Sequence, residues 1–190
     1  MKKLIFTVAI LCLTVAVQSQ KKSGSLEPLK GQTSLIVEFD YSGATYDDQI
    51  EAAFFTNETK ELSEADAAAW KANWQTTAKS SFLQTFINEY NKDCEYIKIV
   101  SGESKYKLLV AFKEIDLGAY AGPFSKPAWL TGTFKFVEVT TGIEVATIPF
   151  KKVMGNPYAV IGQPTQEARI KDACSALGEK AVDEFCKQLK

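Results

Sequence analysis

The chain of 190 residues contains no histidine, and its only arginine is Arg169. The first absence excludes Ser-His-Asp and Cys-His nucleophile activation, histidine-ligated zinc and a histidine pH switch. The second leaves one donor for fork-like recognition of phosphate or carboxylate. There is no excess of positive charge either. The first nineteen residues carry two lysines and no acid, so the remainder has 20 basic against 23 acidic residues. A nucleic-acid or anionic-membrane binder would show a basic surplus or patch, and none is present. No D-x-D-x-D-G calcium loop, internal repeat or low-complexity tract occurs, and no metal or cofactor motif is found.

Cysteine is scarce but informative. Cys12 lies in the apolar N-terminal run, which leaves Cys94, Cys174 and Cys186. An odd number in an oxidising compartment permits one disulfide and one free thiol, or three buried thiols. Cys174 and Cys186 are twelve residues apart on one predicted helix, about 18 Å along its axis, so they do not pair with each other. A bridge, where formed, joins Cys94 to Cys174 or to Cys186.

The N-terminus is the strongest positive signal. Lys2 and Lys3 precede the apolar stretch Leu4 to Val17, and Val17-Gln18-Ser19 supplies the small residues of a cleavage site. Residues 1–19 are therefore expected to be a signal peptide, with the mature chain starting at Gln20. The run is short of the ~20 apolar residues of a comfortable bilayer span, so no transmembrane segment is expected after cleavage. Ile10-Leu11 before Cys12 does not suit lipidation, and the expected address is periplasmic or extracellular without a lipid anchor.

After export about 170 residues remain, the length of a single domain. Residues 20–32 are polar and aperiodic and read as a flexible leader. Residues 33–190 read as one α+β domain. Thr33 to Tyr41 alternates as a strand, and Asp47 to Lys60 is compatible with a short helix. Ser63 with Asp66 opens a long helix in which Trp70, Trp74, Ala78, Phe82, Phe86 and Tyr90 recur every four residues. Cys94 to Val100 and Tyr106 to Ile115 flank a Ser-Gly-Glu-Ser turn and predict a hairpin. Trp129 to Thr140 and Ile143 to Val153 predict another around Thr141-Gly142. Thr165 caps a final amphipathic helix. The expected architecture is a two-layer sandwich, a mainly antiparallel sheet of four to five strands covered by the central and C-terminal helices.

Three groups of residues invite a chemical reading. Asp40, Asp47 and Asp48 follow the first strand, and Glu114 and Asp116 end another; converging carboxylates would suit a hydrolase or calcium. Asn57-Glu58-Thr59 matches the glycosylation sequon. Lys79-Ser80-Ser81 and Ser125-Lys126 offer serine–lysine pairings. None of these sets amounts to a catalytic motif, and the chain reads as a non-enzyme. The Gly118–Trp129 loop is the better site. Tyr120, Phe124 and Trp129 offer flat faces among polar neighbours, Gly122-Pro123 and Pro127 stiffen the loop, and Tyr158 lies in a second loop, Met154 to Pro164. These residues would contact an envelope protein or, alternatively, a small carbohydrate or apolar ligand.

The lysine-led signal ending near Gln20, the segment Leu29 to Tyr41, the Trp70/Trp74 helix, Ile115-Asp116-Leu117-Gly118 and the C-terminal helix around Gly178 together resemble a group of small secreted and envelope proteins of Bacteroidetes. The resemblance implies an envelope or secreted domain and assigns no site.

Overall fold

The computed structural model describes residues 21–159, 162 and 165–190. The expected signal peptide and part of the second loop lie outside the described residues. The chain is α+β. Its strands are β1 (Ser23–Gly24), β2 (Ser34–Asp40), β3 (Thr45–Tyr46), β4 (Gln49–Ile50), β5 (Lys98–Ile99), β6 (Tyr106–Asp116), β7 (Trp129–Glu138) and β8 (Glu144–Met154). The helices are α1 (Glu51–Thr59), α2 (Glu64–Asn73), α3 (Lys79–Asp93) and α4 (Gln166–Glu184). Among the described residues the strands form one eight-stranded sheet in the order β1-β8-β7-β6-β2-β5, with β3 attached beside β6 and β4 beside β3.

Four of these strands are only two residues long, so the four long ones match the expected number while the sheet exceeds it. Most pairings are antiparallel, but β2 runs parallel to both β5 and β6. The hairpin expected between Cys94–Val100 and Tyr106–Ile115 is therefore absent: β2 lies between the two strands. The physical reason is in the order of elements. A long helix separates β2 from β5, the kind of connection that lets strands lie parallel. The Ser101–Lys105 link then passes from one side of β2 to the other, held by Ser104 Oγ donating to the Ser34 carbonyl at 2.8 Å. The segment expected as a flexible leader is also part of the fold. Ser23 and Gly24 pair with Thr147 and Ala146, and Leu26 and Leu29 are buried.

Alternation decides which face is covered. Leu108, Val110 and Phe112 of β6 are buried while their neighbours Lys107, Leu109 and Ala111 are half-buried. The buried face meets α3 and α4 through Phe39 against Phe86 and Phe185 against Phe134 and Phe136. Pro149 sits inside β8 at no cost to the ladder, because β1 spans only Ala146–Thr147 and beyond it β8 is an edge. Gly178 lets α4 cross α3 closely, since a Cβ there would lie 2.9 Å from Glu89 Cβ and from the Phe86 carbonyl oxygen.

The central helix begins as expected, with Ser63 Oγ accepting from Asp66 N at 3.2 Å. Residues Trp74–Ala78 then form a π-helical segment between α2 and α3. A four-residue interval overshoots the α-helical turn by about 40° each step, so a straight helix would carry Trp70 and Tyr90 to different faces. A wider turn advances less per residue and takes back part of that drift. Trp74, Ala78, Phe82, Phe86 and Tyr90 are all buried as a result. Past α3, Cys94 is bridged to Cys186, with a Cα–Cα distance of 5.8 Å, and Cys174 is a buried free thiol. Burial pushes the Cys174 thiol pKa up, which makes it an inert core residue.

Candidate functional site

The Gly118–Trp129 loop leaves the end of β6 and is fixed at its base before it reaches solvent. Leu117 is buried; its N–H donates to Asp47 Oδ1 at 2.8 Å and its carbonyl accepts from Arg169 Nε at 2.9 Å. The chain's sole arginine is itself buried in α4, where desolvation lowers its pKa, so it serves as an internal tie. Gly118 has φ +64, and a Cβ would lie 2.4 Å from the Lys126 carbonyl oxygen, so only glycine fits this crossing. Ala119 and Lys126 then exchange backbone bonds of 3.0 and 2.7 Å.

Beyond that bridge the tip is braced by its own polar groups. Ala121 N donates to Ser125 Oγ at 2.9 Å, and Ser125 Oγ donates to the Gly122 carbonyl at 2.7 Å. Gly122–Phe124 form one turn of 3-10 helix. The outcome is that Phe124 is 82% and Tyr120 50% exposed on a bonded loop. Trp129 differs from these two: it opens β7, is half-buried, and lies under Lys152 Nζ at 5.0 Å from its ring centre.

The second loop leaves the same end of the sheet, because Trp129 pairs with Met154 and Gly155 N donates to the Ala128 carbonyl at 3.1 Å. Asn156 N donates to Asp172 Oδ2 and Tyr158 N to Asn156 Oδ1. Tyr158 is 91% exposed, and Met154, four residues before it, is exposed as well. The four predicted residues therefore belong to one end of the sheet. Sequence reasoning had Met154 only as the start of the second loop, and missed Lys152 and the tie made by Arg169. Only the last had a signal, its being unique in the chain. Lys152 has φ +48 at a register shift between β7 and β8, and its N–H donates to Thr131 Oγ1 at 3.2 Å. That bulge carries the Lys152 side chain over Trp129.

The acidic cluster has a different use. Asp47 and Asp48, with φ +45 and +64, are the two central residues of the tight turn joining β3 to β4. Burial is the main cause that raises the Asp47 pKa, and its carboxylate holds Leu117 N rather than a second acid. Asp40 accepts from Ser42 N at 2.9 Å, and the bonds from Ser42 lower its pKa. Asp116 accepts from Gly118 N at 2.8 Å. Among the described residues no group of three or more histidine, cysteine or acidic side chains is placed to hold a metal. The sequon falls within α1, where the buried Thr59 hydroxyl donates to the Phe55 carbonyl at 2.7 Å.

Three pockets lie elsewhere. One of about 400 Å³ is bounded by Tyr41–Thr45, Ile50, Glu51 and Lys79. Another of about 480 Å³ lies between Ile36–Val37, Ile99–Gly102 and Leu83, Gln84 and Ile87 of α3. A shallow polar one of about 350 Å³ is lined by Lys151–Val153 and Ala176, Glu179, Lys180 and Asp183 of α4. None of the three includes Tyr120, Phe124, Trp129 or Tyr158.

No family model and no curated protein matches the chain. Among solved structures, it is similar to a PelC dodecamer subunit from Paraburkholderia phytofirmans, with 12% identity, a TM-score of 0.37, and coverage of 85% of this chain and 92% of that one. A single-substitution variant of the same PelC assembly is similar at 14% identity and a TM-score of 0.29, covering 83% and 96% of the two chains. No helix among the described residues is long and apolar enough to cross a membrane.

Proposed function

We propose that this chain is an exported, non-catalytic domain that binds another protein of the cell envelope through the Gly118–Trp129 loop and its neighbour after Met154. The observation that carries the reading is the exposure of Phe124 and Tyr158 beside backbone that is hydrogen-bonded at Ala121 and at Tyr158 itself. Large apolar rings held in water by a braced loop lose solvent contact on docking without a large ordering cost. Tyr120, Trp129 and Met154 extend the same end of the sheet, and Lys152 over Trp129 adds a cationic rim. Projecting rings of this kind suit a protein surface better than an enclosed small ligand.

A photo-crosslinking residue at Phe124 in the producing cells tests the reading. A discrete adduct that disappears when Tyr120 and Tyr158 are changed to serine supports it. An adduct pattern shared with a crosslinker at Ile143, exposed at the opposite end of β8, overturns it. Export is tested separately by mass measurement of the protein recovered from the envelope, whose first residue is expected to be Gln20.

A further inference from the structure

The pocket of about 480 Å³ adjoins a sheet edge that, among the described residues, no strand covers. β5 pairs with β2 only at Ser34 and Leu35, and a last bond runs from Val100 N to the Leu35 carbonyl at 2.8 Å. β6 pairs with the other side of β2 over the five residues Ile36–Asp40. In a strand the N–H and C=O of one residue point the same way, and the direction alternates. Thr33 and Leu35 accept from β5, so Val37 and Phe39 direct both backbone groups to that same side. Among the described residues no strand meets them there.

Helix α3 runs beside this edge and makes a groove of it. At one end Val37, Leu83, Ile87, Ile99 and Val100 line an uncharged pocket. At the other end Tyr41, Ser42 and Lys79 line the pocket of about 400 Å³. The charges there are already matched: Lys79 Nζ lies 2.7 Å from Glu51 Oε1 and 2.7 Å from Gln75 Oε1, and 4.4 Å from the Tyr41 ring. The open stretch of β2 is about 16 Å long, at about 3.3 Å per residue.

We infer that the open edge of β2 is a strand-addition site, which takes an extended, uncharged segment of a partner protein in line with β5. The backbone groups of Val37 and Phe39 specify an extended occupant, because only a strand satisfies donors and acceptors repeating every second residue. The lining specifies the absence of charge, since neither pocket offers an unmatched counter-charge and a buried lone charge is expensive. Apolar residues at alternate positions of the occupant would face Leu83 and Ile87. The site is separate from the aromatic loops, so either can fail without bearing on the other.

The capped peptide Thr-Val-Thr-Val-Thr-Val-Thr, titrated into the nitrogen-15-labelled protein, tests the inference. The expected result is saturable shifts and slowed exchange at the Val37 and Phe39 amides, with those of Glu38 and Asp40, already bonded to β6, unchanged. Leu83→Lys is expected to lose the response by charging the groove, and Val37→Pro by removing one edge donor, while both variants keep the unfolding midpoint of a folded chain. Either variant alone suffices if the other does not fold. No saturable response at these amides overturns the site, as does a response that survives substitution, or protection of Val37 and Phe39 without peptide. Equal binding of Thr-Lys-Thr-Lys-Thr-Lys-Thr overturns the uncharged occupant.

Discussion

The aromatic residues of the core between sheet and helices and those of the loop end are of the same kinds and meet opposite fates. Phe86, Tyr90, Phe134 and Phe185 are fully buried, with ring centres of neighbouring pairs 5.5 to 6.5 Å apart. Phe124 and Tyr158 project into water beside backbone hydrogen-bonded at Ala121 and at Tyr158 itself. The difference lies in what fixes each ring. In the core, burial of apolar area fixes the side chains, and a staple and a close helix crossing reinforce it. At the loop end, backbone and hydroxyl bonds fix the main chain and leave the rings uncovered. Stability is therefore concentrated on one side of the contrast, and surface available for contact on the other.

The largest expected effect falls on the staple. Cys94 and Cys186 close a separation of 92 residues across the C-terminal end of α3. Replacing both by alanine is expected to cost about 4 kcal/mol, most of it from the greater freedom of the unfolded chain. Urea unfolding with and without reductant measures this; a midpoint that neither reduction nor substitution moves would show that the core holds without the bridge.

Phe185→Ala comes next. The ring touches Tyr90, Phe134 and Phe136 and lies just past the end of α4. Its removal leaves a cavity between sheet and helices and is expected to cost about 3 kcal/mol. A loss below about 1 kcal/mol would mean that the helix end collapses into the gap, as sites near an element's end sometimes do.

How much of this contrast the sequence revealed follows from the range of the forces involved. The Ser63 cap, the four-residue aromatic stripe and the alternation of Tyr106, Leu108, Val110 and Phe112 are local patterns, and the elements they predict are present. The Thr141-Gly142 hairpin joined its strands as expected for the same reason. The partner of β2 was not legible, because a two-residue β5 carries almost no pattern and a turn-like Ser-Gly-Glu-Ser segment serves equally well as a crossing link. The ordering of residues 21–32 was hidden too, since Leu26 and Leu29 are too few to show a period. For the loop end, residue types and turn formers pointed to the right segment, whereas the tie to Arg169, some fifty residues away, depends on tertiary placement.

Asp47 sharpens the comparison from the base of the loop, with a smaller effect of opposite sign. Burial raises its pKa in the folded chain, so the charged form is penalised there. A raised folded pKa favours the fold at low pH, and this contribution fades as pH rises through the folded value. Asp47→Asn removes the penalty, keeps an acceptor for Leu117 N and suits φ +45. Asp47 is itself solvent-exposed, so screening by water discounts the penalty, and its charge offsets part of the desolvation of Arg169; the expected gain at neutral pH is therefore no more than about 0.5 kcal/mol. The variant is expected to lose this advantage below the carboxylate range; a gain that is the same at pH 3 and pH 7 would put the cause in the turn rather than the charge.

The smallest effect is the one that separates the two regions most cleanly. Phe124→Ala deletes a ring as large as that of Phe185, yet the ring is 82% exposed and its loop is held by Ser125 Oγ and the Ala119–Lys126 bridge. The expected change is within about 0.5 kcal/mol, the range of surface substitutions away from special contacts. Thermal unfolding of Phe124→Ala beside Phe185→Ala measures the ratio directly. A loss approaching that of Phe185→Ala would place the Phe124 ring against the core in solution and remove the exposed surface on which the docking role depends.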